Sequence, residues 1–174
     1  MRNFPWSEAM PASTTDCIWI RTAAVRDVES LSRYFTGLSQ PSRYNRFFGA
    51  VSNFSKVALD CLIHGWKADR FTLVAELREQ ARLTIVGEAS YGFDRVSGCG
   101  EFAISVSDRW QHQGLGSALL SALQFRAVSL GHLELFGETM KTNDQMKNLA
   151  RKAGFEFSRS LDWRLVRFDK KLPG

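Results

Sequence analysis

With 174 residues, the chain can form one domain but is too short for a second sizeable one. Its hydrophobic content of 44% and its 13 Phe exclude wholesale disorder, because they supply ample material for a core. The net charge of +5 lies in the last 36 residues, since residues 1–138 hold equal numbers of acidic and basic side chains. Such a local excess favours an anionic partner, and a solvated basic surface without a partner is the alternative.

The sequence contains no run of the ~18–20 apolar residues that a membrane helix needs, and its first residues lack the apolar stretch of a secretion signal. A cytoplasmic protein without membrane contacts is therefore expected. Residues 1–16 combine two prolines with a polar run, so we expect a flexible N-terminal segment before a single domain over residues 17–174. Cys17, Cys61 and Cys99 are widely spaced, which predicts reduced, buried thiols and no metal site.

The N-terminal third of the domain predicts one strand followed by helices. Residues 18–20 are rich in β-formers, and Asp27 is placed to cap a helix in which apolar residues recur at helical spacing up to Leu38. Residues 37–41 interrupt this helix. Further helical segments are expected through Tyr44 to Phe48 and over residues 57–63.

The rest of the chain predicts a sheet with a helical crossover. Residues 71–77, 84–93 and 100–106 indicate three consecutive antiparallel strands. A helix with leucines about every four residues follows, ends at Gly131 and leads to a strand over 133–138, which predicts a parallel, right-handed crossover. A helix capped by Asn143 and a final hairpin over 155–168 complete the pattern.

The segment from Gln111 to Ser117 stands between a predicted strand and the long helix. Its two glycines let backbone N–H groups approach a ligand, and the helix dipole adds positive potential, so the segment predicts an anion site. Leu119 stands where a dinucleotide-binding fingerprint needs its third glycine, and the Gly-Lys-Ser/Thr of a nucleotide P-loop is absent. Both of those motifs are therefore disfavoured.

Two motifs resemble the GCN5-related N-acetyltransferase (GNAT) family over residues 17–168. The first is the Gln-x-x-Gly-x-Gly core at residues 111–116, and the second is Asn143-x-x-Met146 with a Gly-Phe pair at 154–155. Segments 38–50 and 100–106 further resemble the acetyltransferase domain of bacterial Pat-type protein lysine acetyltransferases. The resemblance implies an α/β (α+β) fold, with a mixed, mostly antiparallel central sheet flanked by helices and the crossover at the cofactor site.

The resemblance also implies that the chain uses acetyl-CoA as acyl donor. Its pyrophosphate would bind the 111–117 loop, its pantetheine arm would contact strand 100–106 and Asn143, and backbone N–H groups near Val106 would stabilise the oxyanion of the reaction. For Ser117 a plain helix-start serine, and for His112 a solvent-facing side chain, are alternative interpretations. The implied cofactor-binding residues are Ile104, Val106, Gln111, His112, Gln113, Gly114, Leu115, Gly116, Ser117 and Asn143.

Acetyl transfer to an amine needs a group that removes a proton, since a lysine side chain has a pKa near ~10.4. Glu101 is the candidate: alternation along the strand places it on one face with Ala103 and Ser105, small neighbours that leave room for a substrate. An exposed glutamate paired with an arginine is the alternative. Ala150 stands where many relatives carry the tyrosine that protonates the leaving thiolate. Either a water or Ser105 takes that role, or no acid is needed because a thiolate is a tolerable leaving group.

Three functions remain open from the sequence. The first is an acetyl-CoA-dependent N-acetyltransferase acting on a protein lysine or on a small amine. The second is a non-catalytic CoA-binding module, consistent with Ala150. The third, a nucleic-acid binder using the basic C-terminal region, is disfavoured because no recognised binding motif is present. A homodimer through the final hairpin is expected only by analogy with the family.

Overall fold

The computed structural model describes residues 17–49, 69–79 and 82–173. The predicted N-terminal segment 1–16, the helical segment 57–63 and Cys61 lie outside these ranges. The strands are β1 (Cys17–Thr22), β2 (Arg70–Glu79), β3 (Arg82–Asp94), β4 (Cys99–Val106), β5 (Glu134–Met140), β6 (Glu156–Arg159) and β7 (Leu165–Lys171). The α-helices are α1 (Val28–Gly37), α2 (Gln40–Phe47), α3 (Leu115–Ser129) and α4 (Asp144–Lys152).

The seven strands form one mixed sheet in the order β1-β2-β3-β4-β5-β7-β6. Strands β1 to β4 are antiparallel neighbours, and β5, β7 and β6 form a second antiparallel group. The groups meet where β4 runs parallel to β5. The predicted crossover is confirmed, because α3 connects these two parallel strands.

The described part of the sheet carries buried clusters on both faces. The larger one joins the sheet to α3 and α4, and the leucines predicted from the four-residue spacing, Leu115, Leu119 and Leu123, are at most 2% exposed within it. The smaller one places α1 against β2 and β3 through Leu31 and Phe35. Helices therefore flank the sheet on both sides, as the resemblance implies.

Asp27 does not cap α1 with its side chain, contrary to the sequence-based prediction. Its carboxylate accepts the N–H of Ala24 at 2.7 Å and two hydrogen bonds from the Arg21 guanidinium. A short 3-10 turn at Val25–Asp27 precedes α1, and the carboxylate folds back over that turn. The charge of the nearby arginine outweighs the first-turn N–H groups as a partner.

The prediction of buried thiols is wrong for Cys17 and Cys99. Both are free thiols and both are partly exposed. Cys17 begins the edge strand β1, and Cys99 begins β4 directly after the turn that follows β3, so neither lies deep in the sheet.

Candidate functional site

The sheet splits between its two antiparallel groups. Strands β4 and β5 pair only through Gly100 with Leu135 and Glu101 with Phe136. Beyond these pairs the strands separate, and a cleft of about 420 Å³ opens between them. The cleft is lined by residues of β4, β5, α2, α4 and the first turn of α3.

The edge of β4 that faces the cleft carries free backbone donors. Ser107 N–H donates to the Val86 carbonyl of β3 at 2.9 Å. Because backbone groups alternate between the two edges of a strand, those of Val106 and Ile104 point away from β3, toward the cleft. The Val106 carbonyl accepts a hydrogen bond from Gln111 Nε2 at 3.0 Å, but no described strand pairs with either N–H group. Val106 and Ile104 thus lie where the sequence predicts, at an open strand edge.

The first turn of α3 closes one end of the cleft with further N–H groups. Gly114 is the N-cap residue and adopts φ 86°, a left-handed conformation that glycine reaches without steric cost. No side chain of the described residues caps this turn, so its N–H groups are available to a ligand. Gly116 and Ser117 line the cleft there. A first turn with this geometry and dipole suits a phosphate.

The other residues predicted to bind the cofactor are placed less uniformly. Gln111, His112 and Asn143 line the cleft. His112 Nε2 lies 3.0 Å from Gln145 Nε2 of α4. The Gln113 side chain donates to the Arg109 carbonyl and Leu115 is 2% exposed in the main core, and neither residue lines the cleft.

Asn143 ties the end of β5 to the start of α4. Its Oδ1 accepts the Met146 N–H at 3.1 Å, which confirms the predicted cap, and its Nδ2 donates to Thr139 Oγ1 at 3.0 Å. Both halves of the amide therefore hold the cleft wall in place. A ligand reaching Asn143 meets a side chain that is already fixed in orientation.

Glu101 lies beside the cleft and not in it. The continuous pairing of β3 with β4 sets Glu101 opposite Gly92 and Ala103 opposite Ser90, so the predicted common face of Glu101, Ala103 and Ser105 is confirmed. On that face Glu101 lines a second cavity of about 440 Å³, here called the side cavity. Glu101 is exposed, and Arg46 lines both the side cavity and the cleft.

Below Arg46 lies a buried polar network. Glu88 of β3 is 0% exposed, and its Oε1 accepts hydrogen bonds from Arg46 Nε at 2.6 Å and from Ser105 Oγ at 2.7 Å. Ser105 Oγ in turn accepts from the Tyr34 hydroxyl of α1 at 2.9 Å. The network links α1, α2, β3 and β4 at the point where the two cavities meet.

The contacts within this network shift the pKa values of Arg46 and Tyr34. Burial lowers the pKa of Arg46, but the charge and hydrogen bonds of Glu88 outweigh burial and leave this pKa raised. Burial, with the nearby Glu88 carboxylate, raises the pKa of the Tyr34 hydroxyl. Arg46 therefore stays a cation and Tyr34 stays neutral at physiological pH.

Two side chains bear on the protonation of a leaving group. Ala150 is 0% exposed in the main core, so this position does not reach the cleft surface. Ser105 donates its hydroxyl hydrogen to Glu88, which removes it as a proton source for the cleft. Neither supplies an acid there.

Glu138 is a carboxylate that the sequence analysis missed. It is half-buried and lines the cleft from β5, two residues beyond the last pair with β4. Among the described residues its carboxylate has no hydrogen-bond or ion-pair partner. Residues two apart in a strand share a face, and Phe136 lines the side cavity with Glu101. Alternation along β5 could therefore have placed Glu138 on the same face of the sheet as Glu101.

Asp108, before the 111–117 loop, is held by hydrogen bonds from the start of α2. Asp108 accepts hydrogen bonds from the Ser39 N–H and the Ser39 and Ser42 hydroxyls, which fastens α2 to the turn before the 111–117 loop. Burial raises the pKa of Asp108, but these hydrogen bonds outweigh it and leave the pKa lowered.

Of the basic C-terminal residues, Lys147, Arg164 and Arg167 pair with nearby carboxylates, whereas Lys152 is exposed at the cleft rim.

The part of the chain that the structure describes contains no group of three or more His, Cys, Asp or Glu side chains that could hold a metal ion. In the same part, no helix combines the length and the apolar character needed to cross a membrane.

Comparisons with known proteins agree with this geometry. The family model described as the acetyltransferase (GNAT) family matches residues 34–155. An acetyltransferase of Pseudomonas aeruginosa is 27% identical over 145 residues, which are 83% of this chain and 78% of the relative.

Solved structures show the same fold. The GNAT domain of the S. lividans protein PAT superposes with a TM-score of 0.79 at 25% identity, covering 88% of this chain and 89% of that one. An acetyltransferase from Salmonella typhimurium, solved with its cofactor acetyl-CoA, has a TM-score of 0.65 at 21% identity, covering 90% and 94%.

Proposed function

The chain belongs to the GNAT acetyltransferase family, and from this premise we propose that it acetylates a primary amine that enters through the side cavity, with Glu101 as general base. The chain is an acetyl-CoA-dependent acetyltransferase. The open edge of β4 supports this separation of the cofactor site from the acceptor site. At one end the edge leads to the first turn of α3, and at the other end it borders Glu101 and Arg46.

The residues of the cleft fit acetyl-CoA. Two phosphates need several converging N–H groups, and the uncapped first turn of α3 offers them at Gly116 and Ser117. The amide-rich pantetheine arm needs a strand edge, which Ile104 and Val106 offer. When bound, acetyl-CoA supplies the acetyl group as an activated thioester.

Glu101 would take the proton from the amine. A protonated amine has no lone pair with which to attack, and an alkylamine is almost wholly protonated at neutral pH. A carboxylate beside the entering amine, acting directly or through one water, provides the free amine. The Val106 N–H would then donate to the carbonyl oxygen as negative charge develops there.

Departure of the thiolate would not depend on a side-chain acid. A thiol has a pKa near ~8.5, so its thiolate is a tolerable leaving group near neutral pH. Ala150 and the occupied hydroxyl of Ser105 fit this interpretation. The same observation favours the second candidate function, a CoA-binding module without efficient turnover.

For the acceptor we propose a protein lysine, with a small-molecule amine as the alternative. The support is the likeness to the GNAT domain of the S. lividans protein PAT over most of both chains. A cytoplasmic location and a homodimer stay predictions from the sequence.

Release of free thiol from acetyl-CoA tests the proposal. The purified protein is assayed with a panel of free amines and with a deacetylated cell lysate, each against a control without enzyme. Label on lysate proteins alone supports a protein lysine, and turnover with a small amine supports the alternative. If acetyl-CoA raises the melting temperature but no acceptor releases thiol, the binding module is the better description.

A further inference from the structure

The Arg46 side chain is held rigidly although it borders two cavities. It is 9% exposed, its Nε and Nη2 both bond the Glu88 carboxylate, and Nη2 also donates to Ser90 Oγ at 2.8 Å. The guanidinium carbon lies 4.9 Å from the centre of the Phe47 ring. These contacts fix the plane of the guanidinium, and with it the direction of the one nitrogen that they leave out.

That nitrogen is Nη1. Its two N–H groups have no hydrogen-bond acceptor among the described residues, although nine-tenths of the side chain is buried. Buried N–H donors in proteins nearly always have a partner, because leaving one unpaired is costly. Since Arg46 lines both the cleft and the side cavity, a molecule bound in either one can supply an acceptor for Nη1.

The partner of Nη1 need not be charged. Glu88 already balances the charge of Arg46, so a neutral carbonyl oxygen satisfies Nη1 as well as a carboxylate does. A cationic group such as a second ammonium has no lone pair and so cannot accept a hydrogen bond from Nη1. The geometry therefore favours an oxygen acceptor and disfavours a diamine at this place.

Glu101 lines the same side cavity as Arg46. In the function proposed above, on which this inference rests, Glu101 receives the proton of the attacking amine. A molecule that meets both residues presents an amine to a carboxylate and an oxygen to a guanidinium. We infer that Arg46 contacts the acceptor and that the acceptor carries a carbonyl or carboxylate oxygen near its amine, as an amino acid or a peptide does.

Matched acceptors separate this inference from a structural role of Arg46. Cadaverine is lysine without its carboxylate, and lysinamide replaces the carboxylate with a neutral carbonyl. We expect kcat/KM to be about ten- to a hundredfold higher for lysine and lysinamide than for cadaverine, the range of a hydrogen bond to a charged group. A lysine-containing peptide that is preferred over both identifies a peptide as the source of the oxygen.

The variant Arg46→Lys keeps a cation beside Glu88 but lacks the two N–H groups of Nη1. We expect the lysine-to-cadaverine ratio to fall to near one, through a higher KM for lysine. Arg43→Lys, on the same helix but outside both cavities, should leave the ratio unchanged. If Arg46→Lys is poorly folded by circular dichroism, the neutral pair Arg46→Gln with Glu88→Gln is measured in its place.

Calorimetric binding of lysine and cadaverine in the presence of coenzyme A gives a readout that does not need turnover. A binding preference for lysine that Arg46→Lys removes supports the inference even if the proposed acetyl transfer fails. Equal binding of the two ligands, or a preference that the variant retains, overturns it. Loss of transfer to every amine with the binding preference intact overturns the proposed function alone.

Discussion

The cleft and the side cavity share strand β4 but are built from different chemical groups. The cleft presents backbone N–H groups, from the open edge of β4 and from the first turn of α3. The side cavity presents charged side chains, among them Glu101 and Arg46. Arg46 also borders the cleft, and it depends on the fully buried Glu88.

This difference predicts which substitutions affect each ligand. A backbone donor is present whatever the side chain is, so only glycine or proline changes at that position alter it. A side-chain site changes with each substitution, and a buried ion pair makes neighbouring substitutions interdependent. We therefore expect substitutions around the cleft to affect acetyl-CoA and those around the side cavity to affect the acceptor.

The largest expected effect comes from the carboxylates. Glu101→Gln should lower kcat/KM at neutral pH by about 10²- to 10⁴-fold, the usual range for a general base. The loss should shrink at high pH, where the amine loses its proton to solvent. Glu138→Gln, in the cleft, is the matched control and should cost less. A larger loss for Glu138→Gln at every pH would show that the general base is Glu138 in the cleft and not Glu101 in the side cavity.

A backbone change in the cleft should have the next largest effect. Val106→Pro removes one N–H that faces away from β3, so the pairing of β3 with β4 survives. We expect kcat to fall by about 10²- to 10³-fold, as for the loss of one oxyanion donor. Val106→Ala keeps the N–H and should stay near the wild-type rate. Equal rates for the two variants would show that the strand edge takes no part in the reaction.

The ion pair between the cavities should govern stability. Glu88→Leu leaves the Arg46 cation buried without a partner and should lower the free energy of unfolding by about 3–5 kcal/mol. Urea denaturation measures this loss. The double variant Arg46→Met with Glu88→Leu should recover most of the stability, because no uncompensated charge remains. A double variant no more stable than Glu88→Leu contradicts the pairing.

The smallest effect should arise at His132, which lines neither cavity but stacks on Phe93 of the side-cavity wall. Burial lowers the pKa of His132, although Asp69 opposes the shift. The unfolded chain thus binds a proton near pH ~6.5 that the folded chain resists, so this contribution to stability is full above that pH and is lost as the pH falls below it.

His132→Phe keeps the stacking on Phe93 and removes the titrating ring. The free energy of unfolding of this variant should fall less between about pH 7.5 and about pH 5 than that of the wild type. The same pH dependence in both proteins would remove His132 as a source of the effect.

Local patterns were enough to predict much of the fold and the backbone half of the site. Leucine spacing predicted α3, and the glycines at 114 and 116 predicted that backbone N–H groups are accessible at its first turn, where the structure has no side-chain cap. Alternation along β4 predicted that Glu101 shares a face with Ser105. Each of these features depends on residues within one helical turn or one strand, where sequence and structure share a period.

The side-chain half of the site could not be predicted in the same way. Arg46 and Glu88 are separated by 42 residues, and Tyr34 and Ser105 by 71. Their contacts depend on how β3 pairs with β4 and on how α1 and α2 pack over the sheet. Asp27 failed as a cap for a different reason, since Arg21 of the preceding strand competes for its carboxylate although it is only six residues away.

A crystal structure of the protein with coenzyme A tests the central claim, that the cleft is the backbone-built cofactor site and the side cavity is left for the acceptor. We predict the pyrophosphate within hydrogen-bond distance of the N–H groups of Gly116 and Ser117, and the pantetheine amides on Ile104 and Val106. The space between Glu101 and Arg46 should stay open to solvent. Coenzyme A bound in the side cavity, or held in the cleft by side chains alone, would contradict the account.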